Sequence, residues 1–96
     1  MSRFAAKTSG TGTAGAASTV LAAENYGRRE ITVVNDHATQ ILYVQLATVQ
    51  GVAPTAVVGQ GIRLNAAGGS WTTDFFKGAL AVIASGAGTN YTIAEF

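Results

Sequence analysis

An all-β fold, an antiparallel β-sandwich or jelly-roll-like domain behind a flexible Gly/Thr/Ala-rich N-terminal arm, is what this sequence predicts. Two observations predict it. About six to eight short runs rich in Val, Ile, Leu and aromatic residues recur at close spacing, several of them alternating with period two. Between them stand clusters of Gly, Asn, Asp and Pro, residues that accept or impose the backbone angles of chain reversal. Short strands divided this often suit two packed antiparallel sheets.

Taken in order, residues 1 to about 17 hold Gly, Thr, Ser and Ala with Phe4 as the only large hydrophobe after Met1, so they read as an arm; residues 18–96 read as the domain. So little apolar area does not offset the entropy of ordering. Ser18–Asn25 (STVLAAEN) fits a first strand or a helical turn, and strand is preferred. Arg28–Asn35 (RREITVVN) is a strand with Ile31 and Val33 on one face, broken by Asn35-Asp36-His37. Ile41–Ala47 (ILYVQLA) follows, with Leu42, Val44 and Leu46 facing one way and Ile41, Tyr43 and Gln45 the other. Thr48–Thr55, with Gly51 and the only proline, Pro54, is a long loop or an edge segment. Ala56–Leu64 is apolar but bent at Gly59 and Gly61, Asn65–Ser70 is a turn, and Trp71–Lys77 is a strand. The runs Gly78–Ser85 and Asn90–Phe96 flank Gly-Ala-Gly-Thr and predict a β-hairpin, with Leu80, Val82, Tyr91 and Ile93 in the interior of a sheet.

Composition narrows the function. The hydrophobic fraction is 48%, but 18 of those residues are Ala, which buries little area, so the core is thin and self-association is a natural remedy. Charged residues make up 11% of the chain, against about 25% in an average soluble domain. A surface built from Thr, Ser, Asn, Gln, Gly and Ala is suited to meeting other protein. A net charge of +1, with Arg28-Arg29 the only adjacent basic pair, argues against nucleic acid and anionic membranes as partners. There is no cysteine, hence no disulfide or thiolate chemistry. Neither a secretory signal nor a membrane span is expected.

Catalytic equipment is not visible. GTGTAG at Gly10–Gly15 matches the dinucleotide fingerprint in letters, yet no buried strand precedes it, so no cofactor is expected. Asp36-His37 reads as turn chemistry, because Ser70 and Ser85 lack a G-x-S-x-G elbow; no metal site is expected either. Trp71, Phe75, Phe76, Tyr43 and Tyr91 fit a sugar-stacking face or, as the preferred reading, core and interface rings. The expectation is a protein that is not an enzyme and takes no small-molecule substrate.

Residues 26–96 resemble the small β-rich virion proteins of tailed bacteriophages, in particular head decoration or cement proteins. The resemblance rests on REITVVNDHATQILYVQL, on Gly-Ile-Arg-Leu-Asn leading into a Gly-Gly turn, and on FKGALAVIASGAGTNYTIAEF. It implies a structural protein on the capsid exterior, made in the host cytoplasm, often a homotrimer, that clamps major capsid protein subunits. A tail, neck or fibre-base role stays open beside it, and so does a carbohydrate-binding module. The interface candidates are Arg3 and Phe4 on the arm and Arg63, Trp71 and Phe76 on the body, types enriched where proteins meet. Arg63 is alternatively an internal partner for Asp74, and Trp71 a core ring.

Overall fold

Period-two patterning resolves into eight strands in the computed structural model, which describes residues 8–96. They are β1 (Thr8–Ala14), β2 (Thr19–Ala22), β3 (Ile31–Asn35), β4 (Leu42–Leu46), β5 (Ile62–Leu64), β6 (Ser70–Thr73), β7 (Leu80–Ala84) and β8 (Thr89–Glu95). One four-stranded sheet has the order β1-β8-β3-β6 and the other β2-β7-β4-β5, and every pairing is antiparallel. The pairs β1·β8, β2·β7, β3·β6 and β4·β5 are nested one inside the next and shared alternately between the sheets. That is the strand order of a jelly roll.

The core lies between the sheets. Ile31 and Val33 of β3 and Ala14 of β1 meet Leu42, Val44, Leu64, Leu80, Val82 and Ala84 of the other sheet, all nearly inaccessible. Leu21, Trp71, Phe76, Tyr91 and Ile93 close its margins. The alternation expected for β3 and β4 is observed. Leu42 and Val44 point inward, whereas Tyr43 joins Ala81 and Ile83 in a second cluster on the outer face. All five residues of β7 are buried, because residues 47–61 run over that outer face as a strap. Ala56 of the strap is 3% exposed, packs into the second cluster, and donates its N–H to Ser18 Oγ at 2.8 Å. Where the strap rejoins β5, Gly61 has φ 84 and a β-carbon there would sit 2.5 Å from the Val44 carbonyl oxygen, so the bend needs glycine.

Two sequence expectations are corrected. The runs 78–85 and 90–96 are strands, but they do not form a hairpin: β7 belongs to one sheet and β8 to the other, and residues 85–88 cross between them. Each run is a central strand, flanked on both sides, and two central strands of opposite sheets satisfy the same apolar pattern as a hairpin. Leu80 and Val82 therefore meet Tyr91 and Ile93 across the core instead of side by side. Secondly, the arm does not extend to residue 17. Thr8–Ala14 pairs residue for residue with β8, from Thr8↔Glu95 to Ala14↔Thr89. The strand is held by backbone pairing with an already buried neighbour, a gain that an estimate from side-chain area misses. Arg3 and Phe4 lie outside the described residues.

Candidate docking surface

The loops β2–β3, β4–β5 and β6–β7 meet at one end of the sandwich, and a buried arginine positions the first and the last of them. Arg28 is 1% exposed, in the β2–β3 loop. Its Nε donates to Glu95 Oε2 at 2.5 Å, its Nη1 to the carbonyls of Phe76 (3.0 Å) and Gly78 (2.9 Å), and its Nη2 to the Ala23 carbonyl (2.8 Å). Lys77 Nζ donates to the Arg28 carbonyl, and Asn25 N to the Lys77 carbonyl at 2.8 Å. One guanidinium thus ties two loops to the end of β8. A buried charge needs this degree of satisfaction, since desolvation penalises it heavily otherwise.

Over this support lies a groove of about 280 Å³. Its walls are Glu24 and Tyr26 from β2–β3, Ala47 to Gln50 from the strap, and Phe75 to Gly78 from β6–β7. Two polar contacts join the first two walls: Gly51 N donates to Glu24 Oε1 at 2.8 Å, and Gln50 Nε2 to the Tyr26 hydroxyl at 2.5 Å. The apolar lining faces water. Phe75 is 85% exposed, Tyr26 63% and Val49 59%, and the strap adds exposed Val52, Val57 and Val58. Apart from Val20 of β2, every large exposed hydrophobe among the described residues belongs to these three loops.

The opposite end is polar and internally satisfied. Asn35, fully buried, donates from Nδ2 to the carbonyls of Gln40 (2.9 Å) and Leu64 (3.0 Å), and its Oδ1 accepts from His37 N at 3.0 Å. His37 Nδ1 accepts from the backbone N–H groups of Thr39 (3.1 Å) and Gln40 (3.0 Å), so the ring proton resides on Nε2. Asp36 Oδ2 accepts from Thr92 Oγ1 at 2.5 Å, and Ser85 Oγ from Ile41 N at 3.0 Å. Asp36 and His37 are turn groups, as their sequence suggests. Among the described residues no three of His, Cys, Asp and Glu converge as metal ligands. The GTGTAG run contributes its residues 10–14 to β1.

Of the sequence-derived candidates, Phe76 lines the groove while packing on the core. Trp71, on edge strand β6, packs against the core from its margin. Arg63, on edge strand β5, is exposed and donates from Nε to Asn65 Oδ1 at 2.9 Å. They occupy three separate elements. The five rings considered for sugar stacking are likewise divided: Tyr43 sits in the outer cluster, Trp71, Phe76 and Tyr91 against the inner one, and Phe75 in solvent. Tyr26, Val49 and Glu24 were missed. Tyr26 follows Glu24-Asn25 in a loop-like stretch, and only the exposure of an aromatic beside a second one across the fold marks it. Burial raises the Tyr91 phenol above its ordinary 10.0. Compared with known proteins, the chain significantly matches no family model, no curated sequence and no solved structure.

Proposed function

We propose that this chain is a structural virion protein that binds the outside of an assembled tailed-phage head, cementing neighbouring major capsid protein subunits, and that it docks through the groove end. The concentration of Tyr26, Val49 and Phe75 in solvent carries the docking assignment, with the loops of Tyr26 and Phe75 clamped by Arg28 and that of Val49 tied to Glu24 and Tyr26. Apolar side chains of this size stabilise a complex by about 1.5–3 kcal/mol each when fully buried. That is little for one copy and ample for an array of copies on a symmetric shell. The resemblance of residues 26–96 to head decoration proteins supports the virion as the location and a homotrimer as the working unit. The sparse charge of the chain supports contact with protein over contact with nucleic acid.

Co-sedimentation with heads assembled from the same genome tests this. Wild-type protein is expected in the head pellet, and Phe75→Ser with Tyr26→Ser, both at exposed positions, to lower its occupancy about ten-fold or more with an unchanged circular dichroism spectrum. Equal occupancy by the double variant overturns the docking assignment. Absence of the wild type from heads overturns the cement role, and its recovery with purified tails instead moves the protein to the tail or neck.

A further inference from the structure

Four strands lie at sheet edges, and three of them are blunted against further pairing. β2 has four residues and a register shift between Val20 and Ala22, β5 has three residues with exposed Arg63 at their centre, and β6 has four. Short length, irregularity and charge protect an edge from other chains. β1 has none of these. It runs for seven residues, TSGTGTA, in unbroken register with β8, and holds no charge and no proline. The ladder identifies which of its backbone groups face away. Phe96 N donates to the Glu30 carbonyl at 2.8 Å and Asp36 N to the Asn90 carbonyl at 3.0 Å, so the even-numbered positions along β8 and on to Phe96 bond toward β3. Directions alternate along an antiparallel strand, so the odd-numbered ones bond toward β1, where their partners are Thr8, Gly10, Gly12 and Ala14. The N–H and C=O groups of Ser9, Thr11 and Thr13 therefore point out of the sheet edge, where no described strand receives them. Thr11 is the midpoint of β1.

We propose that β1 pairs with β1 of a second copy, antiparallel about a two-fold axis at Thr11, and joins the two β1-β8-β3-β6 sheets into one. The strand is self-complementary in this register. Thr11 stands opposite Thr11 of the second copy, Ser9 opposite Thr13 and Thr13 opposite Ser9, so every outward N–H meets an outward C=O. Any other antiparallel register leaves some of these groups without a partner. Gly10 stands opposite Gly12, so no bulky side chain enters the seam, and no like charges oppose each other. An isologous contact of this kind uses each edge once and stops, which hides the edge without growing into a fibre. The contact involves neither the groove nor its loops and does not depend on the capsid as partner. It joins two copies, not the three that the resemblance suggests, and the oligomeric state separates the two.

The chain has no cysteine, so each substitution to cysteine introduces a single thiol. In Thr11→Cys the two α-carbons face each other across the axis at about 5.5 Å, within disulfide reach, whereas in Thr13→Cys they lie about 14 Å apart. Mild oxidation of the full chain is expected to give a covalent dimer from the first variant and not from the second. In sedimentation velocity over a concentration series the wild type is expected to pass from monomer to dimer. Thr11→Pro deletes an outward N–H and leaves the bonds to β8 in place, so it is expected to raise the dissociation constant about ten-fold or more with an unchanged circular dichroism spectrum. If that variant fails to fold, the cysteine pair decides. Wild type that stays monomeric, or forms a trimer indifferent to Thr11→Pro, overturns the proposal. So does a Thr11→Cys chain that does not cross-link, or equal cross-linking at both positions. Amide exchange at Ser9, Thr11 and Thr13 that slows only when heads are added assigns the edge to a capsid segment and likewise overturns self-pairing.

Discussion

Arg28 and Glu95 show how a chain with few charges uses two of them. Both are buried, and the guanidinium reaches Glu95 and three backbone carbonyls contributed by two loops. Removing either partner leaves the other uncompensated, so Arg28→Ala and Glu95→Ala are each expected to cost about 3–5 kcal/mol in urea denaturation. The double substitution is expected to cost clearly less than their sum, because both break one network. Tyr91 gives a pH signature. Its phenol is raised above 10.0 by burial, so the fold favours the neutral ring. This contribution is complete below pH 10.0 and is lost as pH rises through the folded-state value. Wild-type stability is therefore expected to fall on the alkaline side of pH 10.0 relative to Tyr91→Phe, as followed by thermal melts across that range.

At the scale of the element, β1 is the instructive case. Its inner positions are Gly10, Gly12 and Ala14, and the Tyr91 ring of β8 lies across Gly12, where a β-carbon would overlap it. Gly10 has nothing within 4 Å of the corresponding position. Gly12→Ala is thus expected to destabilise by about 1–3 kcal/mol, and Gly10→Ala to be tolerated, in paired denaturation curves. Equal effects would remove the account of this strand. The same strand marks what the sequence made legible. Ile31, Val33, Leu42 and Val44 announce their faces by alternation, since side-chain burial with period two is written in residue type. β1 carries no such signal because its partner supplies the ring and its own glycines supply only space. The β7–β8 crossing was hidden for another reason: Gly-Ala-Gly-Thr permits a reversal without saying whether the chain stays in its sheet. The groove was half legible. Phe76 belongs to a conspicuous aromatic pair, but Tyr26 and Val49 join it only through nested pairing of distant strands.

For the whole molecule, the two ends divide the work. One is closed by Asn35 and His37 bonding to backbone, and the other presents rings above a clamped base. The outer face of the β1-β8-β3-β6 sheet is free of charge among its described positions, with Thr11, Thr13, Asn90, Thr92, Ala94, Thr32, Val34, Ser70 and Thr72. Thr32 and Thr72 share a 2.8 Å hydrogen bond across it. Because β8 is flanked by β1 and β3, a chain ending at residue 88 is expected to be unfolded by circular dichroism. A chain lacking residues 1–16 loses an edge strand instead. It is expected to fold at lower stability and to associate through the uncovered edge of β8, which sedimentation velocity detects.

The nesting of β1 with β8 also governs when this protein can exist. At synthesis rates of about 5–20 residues per second, β1 emerges on the order of 10 s before the strand that pairs with it. During that interval it has no native hydrogen-bonding partner, and β2 waits almost as long for β7. The decisive step of folding consequently waits for β8 and is slow for a domain of this size, in milliseconds to seconds, as loops must close before contacts reward them. A ribosome stalled within β8 would hold a chain containing nearly every core residue and no stable structure.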